Sequence, residues 1–394
     1  MKLHRALLLT LALLLAILPA TAEQGGEITV PEIAPYVCEI PDNEAMAFLR
    51  RMGVGWNLGN TFDAVRDGGG GDEMAIEGYW CGVKTTEAMI EAVHAAGFST
   101  LRLPVSWHNH VDADFTISAP WLDRVQQVAD WALSRDMTVI LNIHHDESPD
   151  FFYPSEACCE TSERYIRRIW TQLAERFRDY GEKLIFESMN EPRQKGTDWE
   201  WWLDENNPDC REAAECINRL NQAFVDTVRA SGGNNADRYL MVPGYDAAPK
   251  GALSDLYRLP QDSADNRIIV SVHAYTPYSF ALQDEGGTDA FSLTPGVQTS
   301  EIGTFMNDLY RKYISNGVPV VIGEFGARDK NGNTQARVDF AAWYAAAAHS
   351  RNIPCCWWDN NAFTGNGERF GLLHRADCTW PYPGIVEALM RYGK

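Results

Sequence analysis

Eight short runs of apolar, largely β-branched residues recur along the chain. They fall near Val54–Asn57, Thr100–Pro104, Thr138–Ile143, Leu184–Met189, Tyr239–Val242, Ile268–His273, Val318–Gly323 and Pro354–Trp358. Short apolar runs of this kind, bounded by polar loops, read as strands. Between them lie stretches with helical period. Thr86 opens Glu87–Ala96 as an N-cap, and Gly97 closes it in the left-handed conformation. Trp121–Ser134 sets Leu122, Val125, Val128, Ala129 and Ala132 on one face. Ser162 and Glu163 open a helix that runs to Tyr180, and Ile217–Ala230, Thr304–Ser315, Thr334–Arg351 and Pro383–Tyr392 complete the set. This alternation predicts an α/β fold, a (β/α)8 TIM barrel in one domain. A doubly wound dinucleotide sheet would place G-x-G-x-x-G after the first strand, where none occurs.

In such a barrel, functional side chains sit where strands end and βα loops begin. Polar residues gather there. Strand one ends in Gly55-Trp56-Asn57-Leu58-Gly59-Asn60, and strand two carries Arg102 among core residues. Strand three ends in His144-His145-Asp146, strand four in Asn190-Glu191-Pro192, strand six in His273-Ala274-Tyr275. Strands seven and eight end in Gly323-Glu324-Phe325-Gly326 and Trp357-Trp358-Asp359-Asn360-Asn361. Two glutamates on strands that face each other across a barrel mouth can converge. Glycosidic cleavage needs such a pair: one carboxyl protonates the leaving oxygen, and the other attacks or stabilises the anomeric carbon.

These motifs, in this order, resemble glycoside hydrolase family 5, in its endoglucanase branch. The resemblance spans nearly the whole chain beyond the leader. It implies that Glu191 is the acid/base and Glu324 the nucleophile. Asn190 would read the sugar 2-hydroxyl, Arg102 would favour the charged form of Glu324, and Tyr275 would hydrogen-bond it. His273 would lie beside both carboxylates and His144 would line the cleavage subsite. Trp358, with Trp357 as its rival, would form the stacking floor. Asn57, His145 and Asn360 are expected to complete the substrate-binding set. Retention of configuration implies carboxyl groups about 5–5.5 Å apart.

Other readings of the same residues stay open. Asn57, Asn60 and Asp63 could simply make turn hydrogen bonds, and Arg102 could be a structural ion pair. Trp199, Trp201 and Trp202 could pack a long loop or carry a sugar on the leaving-group side. His144-His145-Asp146 could hold a metal, but neighbours on a strand point oppositely. No metal and no cofactor is expected. Gly68-Gly69-Gly70-Gly71 lacks the following Lys-Ser/Thr of a phosphate loop and reads as a surface loop.

The chain begins with Lys2 and Arg5, an apolar run to Ile17, and Ala20-Thr21-Ala22. This pattern predicts a signal peptide over residues 1–22, a short leader over 23–41 and the catalytic domain over 42–394. The apolar run is shorter than the ~20 residues of a spanning helix. The expectation is therefore a secreted protein, extracellular or periplasmic, and a monomer is expected as well. The net charge of −20 argues against nucleic acid and anionic membrane surfaces as partners and suits a neutral glycan. Nine cysteines permit disulfides in an exported chain, and Cys210–Cys216 is the expected local bridge. The substrate expected is a β-glucan: cellulose-like, mixed-linkage or xyloglucan. A mannanase or xylanase of the same fold is the alternative, and a non-catalytic glycan-binding protein the remote one.

Overall fold

The computed structural model describes residues 27–394 apart from 35, 69, 70 and 366. The expected signal segment, the first residues of the leader and the centre of the glycine patch lie outside the described residues. Eight parallel strands close into a barrel in sequence order. They are β1 (Val54–Leu58), β2 (Thr100–Leu103), β3 (Thr138–Asn142), β4 (Leu184–Glu187), β5 (Leu240–Pro243), β6 (Ile268–His273), β7 (Val320–Phe325) and β8 (Cys355–Asp359). The helices in chain order are α1 (Glu44–Met52), α2 (Glu87–Ala95), α3 (Ala119–Leu133), α4 (Glu156–Arg176) and α5 (Pro208–Ala230). Then come α6 (Pro249–Leu253), α7 (Tyr278–Ala281), α8 (Val297–Lys312), α9 (Thr334–His349) and α10 (Pro383–Tyr392). The fold is the (β/α)8 barrel that the alternation predicts.

Helix starts depart most from expectation. The N-cap of α2 is Thr86, whose side chain accepts from the Met89 N–H. But α4 begins at Glu156 rather than at Ser162. Ser162 is buried inside that helix, where its hydroxyl accepts from the Tyr153 N–H at 2.9 Å and fastens the β3–α4 loop. Similarly, α5 begins at Pro208, after Asn207 caps the N–H groups of Asp209 and Cys210. Cys210 and Cys216 therefore lie on one helix, six residues apart, and point to different sides of it. The expected bridge between them is absent, and all nine cysteines are free thiols. Cys216 instead meets Cys159 of α4.

Residues of the leader run against the outer helices. Gln335 of α9 bonds Thr29, Tyr392 of α10 bonds Ile33, and Tyr310 of α8 bonds the Glu39 carbonyl. Among the described residues no helix is long and apolar enough to cross a membrane.

The strand residues are buried throughout, as expected for a sheet covered on its outer face by helices and filled within. The upper interior is polar. Asn57, Arg102, Asn142, Glu187 and Ser271 are all fully buried there. The strand register shifts between Val272 and His273, and again between Ile322 and Phe325. Such irregularities re-aim side chains. Here they flank His273 and Glu324.

Candidate active site

Arg102 is the hub of the buried polar layer. Its Nε donates to Glu187 Oε2 at 2.9 Å, and Nη1 donates to Asn57 Oδ1 at 3.0 Å and Glu324 Oε1 at 2.6 Å. Nη2 donates to Asn190 Oδ1 at 2.7 Å. Burial works against its charge, but Glu187 and Glu324 outweigh burial and hold it protonated. Every arm of the fork is engaged by protein, so Arg102 orients the residues around the cleft and does not itself reach a ligand. A buried pair of this kind resists loss of one partner by about 3–5 kcal/mol. Gly323 makes room for it. A Cβ there would stand 3.1 Å from His273 Nε2 and 3.3 Å from Arg102 Nε.

Glu324 also accepts from the Tyr275 hydroxyl at 2.9 Å. Opposite it, Glu191 Oε1 lies 2.8 Å from His273 Nδ1, which is 3.7 Å from Glu324 Oε1. A carboxylate oxygen of Glu191 lies within 4.8 Å of one of Glu324. Burial alone would raise the Glu191 pKa. The hydrogen bond and charge of His273, with Arg193 and His145 behind them, pull it down to about 2. Asn190 gives its carbonyl oxygen to Arg102. Among the described residues its amide nitrogen has no hydrogen-bond partner, so it is free to meet a ligand hydroxyl.

The two indoles of β8 divide their roles. Trp357 is fully buried, donates from Nε1 to the Phe370 carbonyl at 3.1 Å and meets the Phe325 ring edge-on. It is core, which corrects the expectation that it binds substrate. Trp358 lies parallel to the His144 ring, at 2° and 5.7 Å, and keeps 7% of its surface exposed. Gly59 lets this indole lie flat, because a Cβ there would come within 2.8 Å of it.

Three more expected binding residues prove to be scaffold. Asn57 donates to the carbonyls of Gly323, Cys356 and Trp357 and accepts from Arg102, which leaves it no capacity for a sugar. Asn360 accepts from Ala362 and Phe370 N–H and donates to the Glu368 carbonyl. It staples the β8 loop. Arg102 is the third, for the reason given above. Each has its hydrogen-bonding atoms used inside the protein.

His144 and His145 follow the end of β3, so the alternation of a strand no longer applies to them. Their rings stand 4.4 Å apart and edge to face. Asp146 turns away to bind the Trp107 and His108 N–H groups and the Tyr165 hydroxyl. Asp63 takes its place: donor atoms of Asp63, His144 and His145 lie within 4.8 Å of one another. A second such group is Glu191, His273 and Glu324. The first is a poor metal cradle. Asn142 Oδ1 accepts from the Val105 N–H, so its amide nitrogen faces Glu187 and His144 Nδ1, the latter at 3.1 Å. His144 Nδ1 is thereby an acceptor and Nε2 carries the hydrogen. Burial pushes His144 well down and His145 to about 4, so both stay neutral.

Other residues of the site were not foreseen. Glu187 was read as part of an apolar run, yet a carboxylate inside a buried strand is itself a signal. Arg193 follows Pro192 and reaches Glu147, Glu191 and Glu200. Trp80, also not foreseen, stands 5.7 Å from His145 on a loop after β1, whereas Trp201 and Trp202, which the sequence did single out, are exposed on the β4 loop.

A closed barrel with two convergent glutamates, an arginine beneath one and a histidine beside the other defines a glycosidase of the barrel class. Comparison with known proteins agrees. Residues 64–364 match the cellulase family, glycosyl hydrolase family 5. The chain is 43% identical over 353 residues to endoglucanase 1 of Ruminococcus albus, covering 89% of this chain and 82% of that one. A family 5 lichenase from Caldicellulosiruptor sp. F32 superposes with a TM-score of 0.92 at 56% identity, covering 93% of this chain and all of the other. A xyloglucan-specific endo-β-1,4-glucanase from a metagenomic library, in complex with cellotriose, gives 0.80 at 36% identity, covering 88% and 98%. The chain belongs to glycoside hydrolase family 5.

Proposed function

We propose that this chain is a secreted endo-acting β-glucanase that cleaves β-1,4-linked glucans with retention, through Glu324 as nucleophile and Glu191 as acid/base. The observation that carries the mechanism is the approach of the two carboxylates to within 4.8 Å. Retaining enzymes keep the pair about 5–5.5 Å apart, whereas inverting enzymes leave roughly 6.5–9.5 Å for a water. Glu324 attacks the anomeric carbon as the bond to the leaving oxygen breaks, and Glu191 gives that oxygen its proton. Glu191 then takes a proton from water as the water displaces Glu324.

Glu191 Oε1 and His273 Nδ1 face each other across 2.8 Å, close enough to pass a proton between them. With the proton on His273 the two form an ion pair, which an open, wet cleft tolerates. With the proton on Glu191 they are neutral, which a cleft dried by bound sugar favours. Substrate entry thus moves the proton toward the group that must donate it. Tyr275 and Arg102 hold Glu324 on line, and Asn190 offers its amide nitrogen to the sugar 2-hydroxyl. Trp358 supplies the apolar face on which a glucosyl ring stacks.

The relatives named for lichenase, endoglucanase and xyloglucanase activity support a glucan rather than a mannan or xylan. Side-by-side hydrolysis of carboxymethylcellulose, barley β-glucan, xyloglucan, xylan and mannan tests this, with product sizes followed over time. Mixed oligomers from the glucans at early times are expected, and Glu324→Gln should release none. Monosaccharide alone, or an unimpaired Glu324→Gln variant, would overturn the reading. For export, sequencing the N-terminus of the secreted protein should give Glu23.

A further inference from the structure

Arg193 sits behind the acid/base with more contacts than a loop arginine needs. Its Nη1 donates to the backbone carbonyl of Glu191 at 2.9 Å and to Glu147 Oε1 at 3.1 Å, and it stands 3.7 Å from Glu191 Oε2. Its Nε lies 3.4 Å from Glu200 Oε1. The guanidinium lies over the Trp201 ring at 4.1 Å, while that indole keeps 59% of its surface exposed. The loop beneath is held by the Asp246 N–H, which donates to the Pro192 carbonyl at 2.9 Å. Asp246 adopts a left-handed backbone with φ of 57°, a strained conformation that its surroundings must enforce.

We propose that Arg193 is a positioning residue for the reaction: clamped between Trp201 and Glu147, it fixes the Glu191 carboxyl and stabilises the charge that develops there as the proton leaves. The proposal rests on the reading of Glu191 as acid/base. A cation aimed at the place where negative charge appears acts most strongly in a dry site. Arg193 is nearly buried, so little water screens it.

The acids around Arg193 carry a second clue. Glu147 Oε2 and Asp246 Oδ1 are buried with no hydrogen-bond partner. Burial pushes Glu147 up to about 7 and Asp246 well above the usual carboxylate range. The charge that offsets Arg193 therefore changes across neutral pH. The other titratable groups facing Glu191 are His145 from the β3 loop, His273 and Tyr275 from β6 and the loop after it, Glu324 from β7 and Glu368 from the β8 loop.

The test compares kcat/KM on two β-cellobiosides. The 2,4-dinitrophenyl leaving group departs without a proton, and phenyl needs one. Arg193→Met should lose about 100-fold on the phenyl glycoside and less than about tenfold on the dinitrophenyl one, a difference of one decade or more. Its basic pH limb on the phenyl substrate should move up, because a cation that favours the carboxylate is gone. Glu147→Gln leaves Arg193 less compensated and should move that limb down. Trp201→Ala, which unclamps the guanidinium, should show a smaller leaving-group effect of the same sign. Equal losses on both glycosides, or limbs that stay put in both variants, would overturn the proposal and leave Arg193 a structural residue. If Arg193→Met does not fold, Glu147→Gln and Trp201→Ala decide the question. Glu191→Ala, run in parallel, separates the two readings. If it lacks the leaving-group effect, the acid/base assignment fails; if it shows the effect and the Arg193 and Trp201 variants do not, only this proposal fails.

Discussion

Glu187 Oε2 lies 2.7 Å from Arg102 Nη2, inside the barrel and beneath the cleft. Arg102 is thus shared between Glu324, the proposed nucleophile, and Glu187, which anchors it from below. Glu187 is itself fixed by the Ser271 hydroxyl at 2.6 Å and the Asn142 amide at 3.1 Å. Glu187→Gln keeps the shape and an acceptor for Arg102, with its amide nitrogen toward the Ser271 hydroxyl, but removes the negative charge that offsets Arg102. The variant should lose about 1–3 kcal/mol of stability, as a charge-assisted hydrogen bond to a buried arginine becomes a neutral one. It should also lose roughly tenfold or more in kcat, because Arg102 and Glu324 are no longer held in line. Urea unfolding and steady-state kinetics on barley β-glucan check both. Full activity in a destabilised protein would show that Glu187 only supports the fold.

The division between the two β8 indoles makes a contrasting pair of outcomes. Trp358→Ala removes from the cleft wall a ring that is 7% exposed and stacked on His144, and should raise KM about tenfold or more with a smaller drop in melting temperature than Trp357→Ala. Trp357→Ala opens a core cavity beside Phe325 and should cost about 3–5 kcal/mol. The folded fraction of that variant should keep its KM. Thermal melts and kinetics of both variants decide which indole the substrate meets.

The legible part of this protein was whatever a periodic or repeated pattern declares. Eight buried strands leave eight apolar runs, and a helix end leaves a Thr86 or a Gly97. The convergence of two strand-end glutamates was legible too, because Glu191 and Glu324 stand in tight-turn settings that an apolar run does not explain. Hydrogen-bond saturation was not legible. Asn57 and Asn360 have the composition of sugar-binding residues, but backbone groups distant in sequence use up their capacity. Helix starts fared poorly for a local reason. Ser162 looks like a cap, and only the fold shows its hydroxyl turned to the Tyr153 N–H. Arg193 and Trp201 lie on an irregular loop, where no period announces which side chains meet.

Acid should destabilise the protein through His144. Burial, reinforced by the charges of His145, Arg102, His273 and Arg193, depresses its pKa well below 6.5. The unfolded chain takes up that proton near pH 6.5 while the folded one refuses it. Stability from this group is therefore present above pH 6.5 and is lost as pH falls toward the depressed folded value. Asp63 and Glu147, both raised to about 7, act in the opposite sense over the same range. The informative quantity is the difference between wild type and His144→Asn. The variant should lose less stability between pH 6.5 and 4.5, by up to about 1.4 kcal/mol per pH unit. Parallel slopes in urea unfolding at each pH would contradict this.

The same histidine gives the sharpest reading of how the polar layer serves the cleft. Asn142 cannot flip, because its oxygen meets the Val105 N–H at 3.0 Å and its nitrogen meets the Glu187 carboxylate. It therefore offers only a donor to His144 Nδ1, and the hydrogen of the neutral ring must sit on Nε2. Histidine-selective ¹⁵N NMR should find His144 as the Nε2–H tautomer in wild type. Asn142→Asp replaces the donor by an acceptor next to Nδ1 and should shift the hydrogen to that nitrogen. If a bound sugar accepts from Nε2–H, the variant leaves a lone pair facing the sugar instead of a donor. Its kcat/KM on cello-oligosaccharides should fall about tenfold, as expected for one lost hydrogen bond to a bound ligand. An unchanged tautomer with unchanged kinetics would show that Asn142 packs the barrel without governing the ring above it.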